Sequence, residues 1–215
     1  MPVTSDHIKD LKINLKDAIK KLSKQYNFLI KFSESKKEST LAKIYLLNDE
    51  IIHLLDNSFD KSIENFSFSP LGKDLRRNIS YTMTINSLRK ISFHSMNIIK
   101  YLESNIKYKI SNKWSLDLSD KIIKRLKLLD ELMTSEKPEK AFFLAREDES
   151  ISLMYRKELK SLNNKIENSK IKLTTNQKDK VTKDFILAIK SFDYVGNEIK
   201  EIAKISLFIS TGKLK

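Results

Sequence analysis

Residues able to carry out chemistry are sparse in this 215-residue chain and do not combine into a catalytic set. Cysteine is absent, and the histidines His7, His53 and His94 are far apart in the sequence. No serine is tied to a histidine by its spacing, so nothing indicates a nucleophile activated by a base. A glycine-rich phosphate loop and a His-Glu-x-x-His zinc motif are also missing. The residues therefore predict a protein that is not an enzyme.

One charged segment, Asp74-Leu75-Arg76-Arg77, is placed for electrostatic contacts. It falls in the first turns of a predicted helix, where a carboxylate suits the positive end of the helix dipole. The two arginines are either a solvated pair or contact residues for an anion or a protein partner. Asp74, Arg76 and Arg77 are therefore candidate partner-contact residues.

The helix that carries this segment is predicted to start at Ser69-Pro70, a cap followed by a proline at the first helical position, and to end near Asn112. Its apolar side chains recur every three or four residues, which places them on one face. The stripe consists of Ile85, Leu88, Ile91, Ser95, Ile98 and Leu102. Such a helix is not stable alone, so other helices must cover the stripe.

A second copy of this pattern closes the chain. Phe192, Val195, Ile199, Ile202 and Ser206 repeat the spacing of residues 88–102 with a displacement of 104 residues. The preceding helices align with a displacement of 99, which pairs Asp49-Glu50 with Asp148-Glu149. The difference falls in a predicted loop around residues 171–177, where insertions are tolerated. The chain is therefore predicted to contain an internal repeat.

Helical periodicity predicts six helices, at about residues 4–32, 40–66, 70–112, 115–133, 138–168 and 175–210. The second helix carries the stripe Ile44, Leu47, Ile51, Leu55, Phe59 and Ile63. With three glycines and three prolines, the chain has too few turn residues for a β fold. The prediction is an all-α protein of two tandem, pseudo-repeated antiparallel three-helix bundles, residues 1–112 and 113–215.

The formal net charge of +13 invites a polyanion-binding function. A general preference for lysine, isoleucine and asparagine explains the charge as well, and the lysines are dispersed without an aromatic motif for stacking bases. Nucleic acid is therefore the less favoured partner. No apolar run is long enough for a membrane span, and residues 1–10 lack a secretory signal pattern, so a soluble cytoplasmic protein is expected.

The sequence resembles the PhoU family of phosphate-uptake regulators over nearly its whole length. Pro70, Asp74-Leu75-Arg76, Leu88, Ile91, His94, Asn97 and Ile98 match the family pattern of the third helix. The sixth helix matches the same pattern at Phe192, Asp193, Val195, Gly196, Ile202 and Ala203, and Thr211-Gly212-Lys213 resembles the family's terminal motif. The resemblance implies the same architecture of two three-helix bundles.

PhoU-like proteins bind iron or zinc clusters through carboxylate pairs four residues apart on the second and third helix of each bundle. In the first bundle the matching positions are Asp49, His53, Arg89 and Phe93, a degenerate set expected to be empty. Arg89 is expected to neutralise Asp49 in place of a metal. In the second bundle Asp148, Asp193 and Asn197, with Ser152, could hold at most a weakly bound divalent cation such as Mg²⁺ or Ca²⁺.

The resemblance implies a non-enzymatic regulator that binds the ATP-binding subunit of the phosphate ABC transporter and, in many bacteria, a sensor histidine kinase. It would meet the membrane through the transporter, and a homodimer is left open. Two rival hypotheses remain, a basic helical protein that binds polyanions and a metal-binding helical protein.

Overall fold

The computed structural model describes residues 3–68, 72–108, 113–135, 137–146 and 174–212, together with positions 153, 156–158, 160, 161 and 164. These residues are helical apart from short turns, and no strand occurs among them. The bounded helices are α1 (Val3–Ser35), α2 (Glu38–Phe68), α3 (Lys73–Tyr108), α4 (Lys113–Ser135), α5 (Pro138–Arg146) and α6 (Thr175–Thr211). The predicted all-α fold is confirmed.

Several helix ends show the capping chemistry that is common at helix termini. Proline begins α5 at Pro138. Thr174 caps α6 and exchanges hydrogen bonds with Gln177, which forms a capping box. Gly212 ends α6 in the left-handed conformation, with φ 73°, and its N–H donates to the carbonyl of Phe208.

The predicted start of the third helix is wrong by three residues. The helix begins at Lys73 because Gly72 has a φ of 85°, which no right-handed helix accommodates. The predicted cap at Ser69-Pro70 lies outside the described residues.

The predicted apolar stripes form the core. The residues of the α3 stripe, Ile85, Leu88, Ile91, Ser95, Ile98 and Leu102, are at most 1% exposed. In α6 Phe192, Val195, Ile199 and Ile202 are fully buried, whereas Ser206 is half-buried. The helical period therefore identified the inward faces of both helices.

The stripe predicted for α2 holds only in its first half. Ile44, Leu47, Ile51 and Leu55 are buried, but Ile63 is 50% exposed. The buried positions near the end of α2 are instead polar, namely Ser58, Ser62 and Asn65. The hydroxyls of Ser58 and Ser62 donate to the helix carbonyls of Leu54 and Phe59. A serine that satisfies its own hydroxyl in this way can face the core without a partner from another helix.

The helices pack in two groups that share one hydrophobic core. Within each group, α1–α3 or α4–α6, every helix contacts the other two. The groups join through α1 against α4 and, most extensively, α3 against α6. A contiguous chain of aromatic contacts bridges the groups, through the rings of Tyr26, Tyr101, Trp114, Phe185 and Phe192. A division into domains 1–112 and 113–215 stays a prediction.

The crossing of α3 and α6 is antiparallel and obeys the predicted repeat. Lys90 Nζ lies 3.1 Å from Glu198 Oε1, and the ring of His94 stacks on Tyr194. Under the displacement of 104 residues, the position equivalent to Lys90 is Tyr194, and the position equivalent to His94 is Glu198. The Lys90–Glu198 contact is therefore equivalent to the Tyr194–His94 contact, as an approximate two-fold axis between the groups requires.

Among the described residues, no helix combines the length and the apolar character that crossing a bilayer demands.

Candidate functional site

The four residues matched to the first-bundle metal position lie on two neighbouring helices. Asp49 and His53 are exposed on α2, Arg89 is half-buried on α3, and Phe93 is 64% exposed one turn further along α3. Asp49 and His53 line an open groove of about 520 Å³ between α1 and α2. Arg89 and Phe93 do not line this groove, so the structure separates the four residues into two surfaces.

The groove holds a mixture of charges that are already partly compensated. Asp17, Lys21, Asp49, Glu50, His53, Leu54 and Asn57 line it. Lys21 Nζ donates to Glu50 Oε2 at 2.7 Å, and this hydrogen bond raises the pKa of Lys21 and lowers the pKa of Glu50. Asn57 Nδ2 lies 3.2 Å from His53 Nδ1. The groove is therefore a solvated polar surface with an internal ion pair.

The predicted pairing of Arg89 with Asp49 is wrong. Arg89 Nη2 donates to Asp56 Oδ1 at 2.5 Å, and its guanidinium lies 4.7 Å from the centre of the Phe59 ring. Asp56 follows Asp49 by two helical turns on α2, so the helix was predicted correctly and the residue was not. The planar guanidinium suits both contacts at once, since it can pair with a carboxylate while its face covers a ring.

Phe93 belongs to a line of three rings at the crossing of α3 and α6. The Phe93 and His94 rings meet edge to face with their centroids 5.3 Å apart, and His94 stacks on Tyr194 at 4.7 Å. We call Phe93, His94 and Tyr194 the aromatic strip. Its middle member is half-buried, while Phe93 and Tyr194 are 64% and 51% exposed.

Burial and two neighbours of opposite charge act on the His94 imidazole. Burial lowers the pKa of its imidazole, the nearby carboxylate of Glu198 opposes that effect, and Lys90 adds to it. His94 Nδ1 is buried and has no hydrogen-bond partner among the described residues. Because the imidazolium form needs a partner for each ring N–H, this site favours the neutral ring.

The residues at the first-bundle position do not fit a bound metal. The guanidinium of Arg89 is a cation engaged by Asp56, and the ring of Phe93 offers no donor atom. Across the part of the chain that the structure describes, no three His, Cys, Asp or Glu side chains are grouped closely enough to share a metal ion.

The second-bundle position is described only in part. Asp193 is half-buried and Asn197 exposed on α6, and Asn197 Nδ2 donates to Asp193 Oδ2 at 3.4 Å. Asp148 and Ser152, which would supply the other donors, lie outside the described residues. The weak divalent-cation site of Asp148, Asp193 and Asn197 stays a prediction.

The candidate partner-contact segment makes contacts within the chain. Arg77 Nη1 lies 3.9 Å from Asp74 Oδ1, one turn away on α3. Arg76 reaches across to the end of α6, where its guanidinium lies 6.0 Å from the centre of the Phe208 ring and against Gly212. A cation at a helix C-terminus is stabilised by the dipole, so Arg76 ties the start of α3 to the end of α6.

Sequence reasoning missed three residues of this region: Asp56, Tyr194 and Glu198. The signal for Asp56 was its position two turns after Asp49 on the same face of α2. The predicted repeat makes Tyr194 equivalent to Lys90 and Glu198 equivalent to His94. It does not show that Tyr194 contacts His94 and Glu198 contacts Lys90, because those contacts require an antiparallel crossing of α3 and α6.

The fold and this region together define a class: all-α proteins of two packed helix groups with a polar, aromatic crossing between their third and sixth helices. No family model matches the sequence, and no curated protein matches it either. Solved structures do match. One is the crystal structure of PhoU from Pseudomonas aeruginosa, with a TM-score of 0.83 and 14% identity, covering 97% of this chain and 99% of that one.

Another is the crystal structure of the phosphate transport system regulatory protein PhoU from Streptococcus pneumoniae. Its TM-score is 0.84 at 15% identity, and the match covers 99% of both chains. The chain therefore has the fold of these PhoU structures over 97–99% of its length.

Proposed function

We propose that this protein is a PhoU-like, non-enzymatic regulator of phosphate uptake in the cytoplasm. It acts by binding the ATP-binding subunit of a phosphate ABC transporter, and a sensor histidine kinase where one is present, to restrain import and starvation signalling. The observation that carries the proposal is the match to two PhoU structures over nearly the whole chain, at TM-scores of 0.83 and 0.84. The sequence resemblance, with its matched positions in both halves, supports it independently.

Regulation of this kind requires binding that differs between two states of the partner. A ligand shifts an equilibrium only by its difference in affinity for the two states, so the regulator must prefer the ATP-binding subunit in one of them. A preference of about 1.4 kcal/mol changes the ratio of states tenfold. No bond is made or broken in this mechanism.

The test is direct binding to the purified ATP-binding subunit of the phosphate transporter from the same organism. Binding that is stronger in one nucleotide state of the subunit, ATP-bound or nucleotide-free, is the expected result. Phosphate uptake in cells that lack this protein should rise when external phosphate is plentiful. Absence of binding in every nucleotide state, with unchanged uptake, would refute the proposal.

A second candidate function is polyanion binding, favoured by the net charge of +13. It predicts affinity for nucleic acid that falls steeply as the salt concentration rises, because neutralised phosphates release counterions. A titration of labelled DNA and RNA at low and physiological salt distinguishes the two functions. Retention of affinity for the ATP-binding subunit at physiological salt, with loss of nucleic acid binding, favours the regulator.

A further inference from the structure

The exposed surface along the crossing of α3 and α6 differs from an ordinary solvated helix face. We define the seam surface as the exposed side chains within residues 86–100 and 187–197. Its members are Asn86, Lys90, Phe93, Lys100, Leu187, Lys190, Tyr194 and Asn197. Three of these eight side chains are large and apolar or aromatic, and each of the three is more than half exposed.

The aromatic strip fixes the two most exposed rings of this surface in place. Phe93 and Tyr194 each contact the ring of His94, which is half-buried between α3 and α6. A ring held by a neighbour loses little conformational entropy when a partner covers it. Rigid, partly exposed aromatic side chains at the centre of a patch are the usual anchors of protein interfaces.

The charge of the seam surface has one sign. Its only charged members are Lys90, Lys100 and Lys190. The carboxylates on these stretches of α3 and α6 are not free to compensate them from the surface: Asp193 is half-buried and accepts from Asn197. Just beyond the defined ranges, Glu198 is engaged by Lys90, and the exposed Glu201 lies 3.8 Å from Lys204 Nζ. The surface therefore complements a partner that is negatively charged and carries an apolar side chain.

From this combination we propose that the seam surface is the docking site for an acidic, apolar-anchored segment of the transporter's ATP-binding subunit. Phe93 and Tyr194 are the apolar anchors, and Lys100 and Lys190 supply the electrostatic complement. This inference rests on the proposed function and specifies which face of the protein performs it.

The first experiment measures binding of the full-length Phe93→Ser/Tyr194→Ser variant to the ATP-binding subunit. The expected result is a Kd at least about tenfold weaker than that of the natural protein, through faster dissociation. The matched control is Ile13→Ser/Leu46→Ser, since Ile13 and Leu46 are each 63% exposed and lie on α1 and α2 instead of the two helices that form the seam surface. The control should bind as tightly as the natural protein.

The second experiment tests the charge complement with Lys100→Glu/Lys190→Glu. Reversal of these two charges should slow association several-fold and make the association rate less sensitive to salt. Lys43→Glu/Lys124→Glu, which reverses two exposed lysines on α2 and α4, is the matched control and should change the rate little. Far-UV circular dichroism of each variant checks that the helices are intact.

The outcomes separate this inference from the function on which it rests. If the natural protein does not bind the ATP-binding subunit, the proposed function fails. If the natural protein binds the subunit and the seam and control variants bind it with the same Kd, the proposed function stands and the seam surface is refuted as the binding site. If the seam variants lose affinity for labelled nucleic acid but not for the subunit, the seam surface binds polyanions and the inference is overturned.

Discussion

His94 shows how one side chain can make stability depend on pH. Burial between α3 and α6 lowers the pKa of its imidazole, so the folded protein binds a proton at this ring less readily than the unfolded chain, whose histidines titrate near about pH 6.5. The neutral ring therefore contributes stability that is fully present above about pH 6.5 and is lost as the pH falls below it.

We predict that His94→Gln reduces the loss of stability on acidification from about pH 7.5 to about pH 5.5. Urea unfolding of the natural protein and the variant at both pH values measures the difference. His53→Gln, at an exposed position on α2, is the control for the loss of an imidazole outside the crossing of α3 and α6. A natural protein and a His94→Gln variant with the same pH dependence would contradict the assignment.

Gly212 supports a prediction about backbone strain at a single residue. Its φ of 73° is a conformation that side chains disfavour, and a Cβ atom added there would lie 2.8 Å from Arg76 Nη1. We predict that Gly212→Ala lowers the free energy of unfolding by about 1–2 kcal/mol, from the left-handed conformation, and displaces the Arg76 guanidinium from the end of α6.

Gly72→Ala is the informative comparison for Gly212→Ala. Gly72 also has a positive φ, of 85°, but a Cβ atom added there would meet nothing within 4 Å. Thermal unfolding should therefore show a smaller decrease in Tm for Gly72→Ala, which introduces backbone strain alone. The decrease should be larger for Gly212→Ala, which also disturbs the Arg76 contact. A Gly212→Ala protein as stable as the natural one would show that the end of α6 does not hold this conformation in solution.

At the scale of elements, the sequence predicted helix faces better than it predicted partners. Periodicity identified the α3 stripe because a helix repeats its apolar side every three or four residues. It failed at Ile63, because the inward positions near the end of α2 are the polar residues Ser58, Ser62 and Asn65, which a search for apolar side chains does not detect. Arg89 was assigned to Asp49 because the family resemblance places both residues at one metal position, whereas its guanidinium contacts Asp56, two turns further along α2.

A buried polar contact between α1, α2 and α3 gives an element-level prediction. Asn48 Oδ1 accepts from Ser92 Oγ at 2.8 Å and from Gln25 Nε2 at 3.4 Å. We predict that Asn48→Ala lowers the free energy of unfolding by about 2–3 kcal/mol, since it leaves Ser92 Oγ without its acceptor and leaves Gln25 Nε2 only the weak sulfur acceptor of Met96. Ser92→Ala, which removes one donor, should cost only about 1 kcal/mol.

Chemical denaturation of both variants measures this difference, with the exposed Asn57→Ala as the control expected within about 0.5 kcal/mol of the natural protein. Equal losses for Asn48→Ala and Ser92→Ala would mean that Gln25 does not depend on Asn48 in solution.

At the scale of the molecule, the sequence pattern could not predict how the two helix groups pack against each other. A stripe shows that a face is buried but not which helix covers it, and the repeat is compatible with separated or packed bundles. The structure packs α3 against α6 and α1 against α4, so one core spans both groups. The antiparallel crossing also creates the aromatic strip, which neither helix pattern contains by itself.

This shared core predicts that the chain unfolds as one unit although it contains two repeats. Trp114, the single tryptophan, contacts Tyr101 of α3 and Phe185 and Phe192 of α6, so its fluorescence reports on both groups. We expect the fluorescence transition and the far-UV circular dichroism transition to coincide in urea.

Phe192→Ala removes a ring in contact with Tyr26 of α1 and with Trp114. It should move both transitions together to lower urea concentration and lower the free energy of unfolding by about 3–5 kcal/mol. If a separate loss of helicity precedes or follows the fluorescence change, the two groups fold independently and the core between them is not what makes the molecule cooperative.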